Sequence, residues 1–382
     1  MQPAYIQEEH ELLRESLRKF LEREAYPFFD EWEQNGMIPR SFWEKLGSQG
    51  FLCPWLDEEY GGFDADFGYS VVINEELERV GTGLIGIGLH NDIVVPYLRR
   101  YGNKDQKNRW LSKCITGEII SAIAMTEPGA GSDLAGIKTT AVRDGDSYIL
   151  NGEKIFITNG IHCDLAIVVC KTDPKAVPAH RGISLLVVER GMPGFSRGKK
   201  LNKVGLHSQD TAELIFEDAI VPVANLLGEE GKGFYYLMEQ LQQERLIVAI
   251  GGMAAARRML DITVDYVKNR KAFGKRIADF QHTQFALAEL ETEIEIGRTF
   301  VDSVIVRHMN GEEAVKEVSM AKWWVTDLLK KTAETCMQLH GGYGYMEEYE
   351  IARRFRDAPV AAIYAGSNEI MKTIIAKKMG LQ

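Results

Sequence analysis

Leu165-Ala-Ile-Val-Val-Cys170 and Ile183-Ser-Leu-Leu-Val-Val188 are short, almost wholly apolar runs rich in β-branched residues. Each is too short for a core helix and is flanked by polar, turn-forming sequence. That pattern reads as strands buried on both faces. Asp144-Gly145 lies between two extended stretches and reads as a hairpin turn. Asn151-Gly152 reads as a second turn, between the stretch ending at Leu150 and the one starting at Lys154. Several short strands at this spacing predict a barrel or sandwich over about residues 119–228.

On either side the period changes. Leu12, Leu13, Leu17, Phe20 and Leu21 recur at helical spacing among charges, and Pro27, Pro39, Pro54 and Gly61-Gly62 punctuate the first 118 residues. Beyond 229, Leu287, Leu290, Ile294, Gly297 and Val301 form one stripe of a long amphipathic helix. Helices of that kind pack as an antiparallel bundle. The order predicts a helical domain over 1–118, a β domain over 119–228 and a helical bundle over 229–382.

The chain has 382 residues, with 45 Lys and Arg against 55 Asp and Glu, a net charge of −10. Such an acidic balance argues against general nucleic-acid binding, which needs a concentrated positive field. Cys53, Cys114, Cys163, Cys170 and Cys336 are odd in number and form no CxxC pair, so neither a disulfide framework nor a zinc site is expected. No HExxH or paired His/Cys spacing appears, and no metal is expected. The N-terminal stretch has neither a basic-then-apolar signal nor Arg-rich transit character, and no apolar run reaches membrane-spanning length. The expectation is a cytoplasmic protein without stable membrane insertion, or a mitochondrial matrix protein already trimmed.

Gly81-Thr-Gly-Leu-Ile-Gly86 matches GxGxxG, but it follows a helical stretch and no βαβ unit surrounds it. It reads as a closely packed or flexible helix connection. Ala124-Met-Thr-Glu-Pro-Gly-Ala-Gly-Ser-Asp133 makes a tight turn with exposed amides, and Thr126 and Ser132 add hydroxyls. Such a nest suits an anion or an electron-rich heterocycle. Gln338-Leu-His-Gly-Gly-Tyr-Gly344 places paired glycines at a helix end, where backbone and ligand can approach closely. Ile363-Tyr-Ala-Gly-Ser-Asn-Glu-Ile370 is another glycine break, before an amphipathic last helix.

These three motifs, together with Arg270-Lys-Ala-Phe-Gly-Lys275 and the following Gln281, resemble the acyl-CoA dehydrogenase family, and most of all its long-chain subgroup. The likeness runs from about residue 10 to the end. It implies an α+β multidomain fold: an N-terminal helical domain, a central β-barrel and a C-terminal four-helix bundle. It also implies bound FAD. Ile123, Met125, Thr126, Gly131 and Ser132 would hold the isoalloxazine, with Phe156, Ile157 and Thr158 as the adjoining wall. Arg270, Phe273 and Gln281 would bind the diphosphate and adenine half; a guanidinium suits phosphate because it can fork onto two oxygens. Gln338, Gly341 and Gly342 would reach the same FAD from a neighbouring subunit, and Ser367 and Glu369 would complete the site. A homotetramer, built as a dimer of dimers, is implied.

The implied reaction is α,β-dehydrogenation of an acyl-CoA to a trans-2-enoyl-CoA, as in fatty acid β-oxidation. A carboxylate takes the α-proton, the β-hydrogen leaves as hydride to flavin N5, and electron-transferring flavoprotein takes the electrons. Many relatives carry the base directly before the glycine of the C-terminal motif, where this chain has Ala365. The long-chain and isovaleryl subgroups instead place it where this chain has Glu244, in Gln242-Gln-Glu-Arg-Leu246. Glu244 is therefore the expected base. The Ala365 N–H and a flavin ribityl hydroxyl would polarise the thioester carbonyl, a contribution on the order of 3 kcal/mol for donors of this kind. Ser132, Tyr235, Gln242, Arg245, Ala365 and Gly366 are the expected substrate contacts. Long or methyl-branched acyl groups are favoured, with isovaleryl-like or citronellyl-type substrates as alternatives. A flavin oxidase and a non-catalytic acyl-CoA- or FAD-binding protein are the competing readings.

Overall fold

The computed structural model describes residues 3–381. Seven α-helices come first: α1 (Glu8–Glu24), α2 (Phe29–Asn35), α3 (Arg40–Ser48), α4 (Phe67–Val80), α5 (Ile85–Leu89), α6 (Val95–Tyr101) and α7 (Lys104–Thr116). A π-helical turn, His90–Val94, links α5 to α6. Seven strands follow: β1 (Ser121–Ala124), β2 (Thr140–Asp144), β3 (Ser147–Thr158), β4 (Leu165–Lys171), β5 (Ile183–Glu189), β6 (Phe195–Lys200) and β7 (Thr211–Pro222). The chain ends in α8 (Gly233–Asn269), a small hairpin of β8 (Lys271–Ala272) and β9 (Lys275–Arg276), α9 (Gln281–Met309), α10 (Val315–His340), α11 (Glu350–Asp357) and α12 (Asn368–Lys378).

The strands form one curled sheet in the order β1-β4-β2-β3-β7-β6, with β5 on β4. The apolar runs of β4 and β5 are explained by burial on both faces. Leu165, Ile167 and Val169 pack outward against Val95, Tyr97, Leu98 and Trp110 of the helices and Leu237 of α8. Ala166, Val168 and Cys170 pack inward with Tyr148, Leu150, Leu214 and Phe216. Alternate residues thus serve two cores, as a pleat requires. In the C-terminal bundle Leu290, Ile294 and Val301 of α9 pack with Ile250 and Met253 of α8 and Val325 of α10.

Asp144-Gly145 forms the expected β2–β3 hairpin turn. Asn151-Gly152 does not turn: β3 runs through it, and the pairing with β7 shifts register between Leu150 and Gly152. It is a β-bulge. Gly152 has φ +149° and lies against Thr139, which a side chain would displace. Leu12 departs from its predicted stripe and is 62% exposed, whereas Leu17, Phe20 and Leu21 are buried.

The glycines of Gly81–Gly86 serve packing. A Cβ on Gly86 would stand 2.2 Å from Oε1 of Gln209 and 2.4 Å from Oδ1 of Asn159. Those amides belong to a buried network in which Asn159 donates to the carbonyls of Gly86 and Ser121. Gly86→Val should therefore destabilise the fold by about 1–3 kcal/mol, the usual cost of overpacking, read as a lower denaturant midpoint at unchanged slope.

Candidate active site

Glu244 sits on α8 and is 4% exposed. Tyr97, on α6, donates its hydroxyl to Oε1 of Glu244 at 2.7 Å. Burial pushes the Glu244 carboxyl up to about 7, against the opposing pull of the Tyr97 hydrogen bond and the Arg245 charge. Arg245 is itself buried, and its Nε donates to the carbonyl of Ala365 at 3.3 Å. The base helix and the loop before α12 are thus joined by adjacent residues.

A second cation holds that loop. Lys322, on α10, is fully buried and donates to the carbonyl of Gly366 at 2.8 Å and to Oδ1 of Asn368 at 3.1 Å. Burial, aided by the Arg245 charge, pulls its pKa down to about 8. Ala365 (φ +54°) and Gly366 (φ +91°) are both left-handed. A non-glycine residue holds that conformation only where its surroundings insist on it. Among the described residues, the Ala365 N–H donates to no protein acceptor.

On the β side, a buried ion pair shapes the 125–133 turn. The Glu127 carboxylate accepts from Nζ of Lys154 at 2.8 Å and from the backbone N–H groups of Lys138 (2.6 Å) and Thr139 (3.0 Å). Lys154 also donates to the Met125 carbonyl at 2.9 Å. Held from behind, the turn leaves Pro128, Gly129, Gly131 and Ser132 exposed in front. Ile123 and Met125 are half-buried against the cluster that contains Val94, Leu98 and Leu237. Thr126 and Thr158 are half-buried, and Phe156 is 64% exposed at φ +62°. Open amides, hydroxyls and a displayed aromatic ring fit a planar, polar-edged heterocycle. Ile157 is a correction: its side chain is buried in the sheet core, so only its backbone faces that wall.

The remaining expected cofactor residues lie elsewhere. Arg270 follows the last residue of α8, 26 positions beyond Glu244, which is about 39 Å at the helical rise. Its guanidinium lies over the Tyr343 ring at 5.1 Å, next to Gly341 and Gly342, which have open space where side chains would stand. Phe273 is 94% exposed, and Gln281 and Gln338 are exposed. The expectation divided these residues between two subunits. The structure instead places Arg270 and the glycine pair in one patch of one chain, farther from Glu244 than one dinucleotide reaches. Ser367 caps α12, accepting from the Ile370 N–H, and Glu369 lies exposed in that helix's first turn.

Of the expected substrate contacts, Gln242 is tied up by the protein itself and Tyr235 is exposed. Gln242 is engaged elsewhere: its amide donates to the carbonyl of Glu312 at 3.1 Å and accepts from the Ala314 N–H at 2.8 Å. It clamps the α9–α10 connection. Tyr235 is exposed near the start of α8, with its hydroxyl 3.4 Å from Nε2 of His180. The residues that sequence reasoning missed are Tyr97, Lys322 and the Glu127–Lys154 pair. Lys322 had a signal, a lone cation in the apolar face of a helix. Tyr97 had none, because its partner lies 147 positions away.

The chain thus carries a buried carboxyl with a raised pKa, a backbone N–H without an acceptor among the described residues on the loop that Arg245 holds, and a turn whose open amides suit a flavin. The chain belongs to the acyl-CoA dehydrogenase family: models of that family's N-terminal, middle and C-terminal domains match residues 7–118, 122–219 and 231–380. It is 50% identical over 372 residues to the mitochondrial long-chain specific acyl-CoA dehydrogenase of Rattus norvegicus, covering 97% of this chain and 86% of that one. It is 39% identical over 376 residues to the mitochondrial isovaleryl-CoA dehydrogenase of Pongo abelii, covering 97% and 89%. The crystal structure of an acyl-CoA dehydrogenase from Geobacillus kaustophilus superposes with a TM-score of 0.98 at 68% identity, covering 99% and 100%. That of a Bacillus anthracis acyl-CoA dehydrogenase complexed with FAD superposes at 0.92 with 32% identity, covering 100% and 68%. The enzyme class and the FAD cofactor are those of the family.

Glu127→Ala would strand the Lys154 ammonium, which is fully buried. Unpairing a buried ion pair costs about 3–5 kcal/mol, so this variant should unfold at much lower denaturant than wild type. The double variant Glu127→Leu with Lys154→Met should recover much of the loss.

Proposed function

We propose that this enzyme dehydrogenates a long-chain or methyl-branched acyl-CoA to its trans-2-enoyl-CoA, with Glu244 as the base and electron-transferring flavoprotein as the electron acceptor. The observation that carries the reading is the buried Glu244 carboxyl with its raised pKa, next in sequence to Arg245, whose guanidinium holds the carbonyl of Ala365. Bound FAD supplies the acceptor for the β-hydrogen, which leaves as hydride. Glu244 takes the α-proton. Its pKa of about 7 lets it act as a base near neutral pH while holding that proton long enough for transfer. The Ala365 N–H stabilises the negative charge that develops on the thioester oxygen. That donor survives the absence of a glutamate side chain at this position, since it belongs to the backbone. Arg245 and Lys322 hold the loop by its carbonyls, so the donor is set in place before substrate arrives.

Ile123, Met125, Thr126, Gly131, Ser132, Phe156 and Thr158 hold the flavin end in this reading, with Ser367 and Glu369 at the edge. Arg270, Phe273, Gln281, Gln338, Gly341 and Gly342 serve the FAD of a second copy, which accounts for the exposure of Phe273. The assembly is then at least a dimer, and a homotetramer satisfies the same contacts twice. Likeness to the rat long-chain enzyme supports the long acyl chain, and likeness to the isovaleryl enzyme supports branching.

The ionised carboxylate is the active form. kcat/KM should therefore rise with pH through about 7 and level off above it. Glu244→Gln should retain FAD yet slow anaerobic bleaching of the flavin bands by acyl-CoA about 100- to 10,000-fold. Bleaching at near the wild-type rate would overturn the assignment. Titration with acyl-CoAs from short and straight to long and branched should show the fastest bleaching with the long or branched set.

A further inference from the structure

Among the described residues, Tyr97 is the one hydrogen-bond donor to Glu244. Its side chain is fully buried, and the bond is made to Oε1 alone. Among the described residues Oε2 has no hydrogen-bond partner, and the Glu244 residue keeps 4% of its surface exposed. We infer that Tyr97 is a positioning residue for the base: its phenol ties down Oε1 and leaves Oε2 as the oxygen that takes the substrate proton. The inference rests on the reading of Glu244 as base.

The ring is fixed from several directions. The π-helical turn His90–Val94 inserts an extra residue just before α6 and so resets which α6 side chains face α8. The Tyr97 ring packs on Tyr101 at 6.0 Å, and Tyr101 stacks on Tyr236 of α8 at 4.0 Å. Tyr101 also donates to Oε2 of Glu239 at 2.7 Å. This ladder joins α6 to α8, so the Tyr97 hydroxyl cannot swing away without parting the helices. Burial and the Glu244 charge push the phenol well above its ordinary range, which keeps it a donor.

Proton transfer then has a defined course. The α-proton passes to Oε2, and the pair left at Cα becomes the new C=C bond as the β-hydrogen leaves with its own pair for the FAD. Throughout, the phenol keeps its proton and its bond to Oε1. That bond favours the carboxylate over the acid and opposes the upward push of burial. The other charged groups on packed elements engage different partners. Arg245 holds Ala365, Lys322 holds Gly366, Asp92 of the π turn accepts from Asn74, and Glu78 of α4 faces Arg354.

The test is the pH profile of substrate-driven flavin bleaching in the FAD-loaded Tyr97→Phe enzyme. The acidic limb should move up by about one to two pH units, the worth of a hydrogen bond to a charged group. The rate should largely recover at high pH, with KM little changed. Replacing Tyr97 with 3,5-difluorotyrosine, a more acidic donor, should move the limb down. An unshifted limb in both variants, or a Tyr97→Phe loss equal at every pH, would overturn the inference while Glu244→Gln remains inactive. If Glu244→Gln keeps the limb, the base assignment itself fails, and this inference with it.

Discussion

A 37-residue helix, α8, must bury two unlike faces at once, and the site depends on that constraint. Leu237 at its start joins the core shared with the outer face of the sheet. Leu246, Ile247, Ile250, Met253, Met259 and Leu260 join the bundle core with α9 and α10. Each such side chain is worth roughly 1.5–3 kcal/mol on full burial, so apolar packing holds the helix in both cores. Glu244, the twelfth residue of the helix, lies between these stretches and is almost wholly buried. Its raised pKa follows from that location, since charging a buried carboxylate forfeits solvation.

The loop before α12 solves a complementary problem. A backbone N–H can serve a developing oxyanion only if the peptide is turned outward and kept so. Left-handed geometry at Ala365 and Gly366 turns it, and two buried cations on neighbouring carbonyls keep it. Among the described residues neither cation makes an ion pair with a carboxylate, so each spends its donors on the loop.

Much of the fold was legible because its signals are periodic. Full apolar runs marked β4 and β5, whose alternate residues feed two cores. The stripe through Leu290, Ile294 and Val301 marked α9. Asn151-Gly152 misled because turn residues also suit a bulge, and only the pairing partner distinguishes the two. Leu12 misled because its neighbour Leu13 already covers the inward face. Gln242 was expected to touch substrate, yet it lies two positions before Glu244, and helical positions two apart point about 200° apart, to nearly opposite faces.

The sequence by itself determined the order of helical and β domains, the motifs of the family, and the presence of Ala365 together with Glu244, on which the proposed base rests. These are local patterns of residue type and spacing. Only the tertiary structure decided which groups touch Glu244 and the loop before α12: Tyr97 on Oε1, Arg245 and Lys322 on the 365–366 carbonyls, and Lys154 behind the 125–133 turn. It also decided that Arg270 and the 341–342 glycines form one patch remote from Glu244. The physical reason is that hydrogen bonds and desolvation depend on distances between atoms far apart in sequence. A helix 37 residues long fixes those distances in a way that no local pattern records.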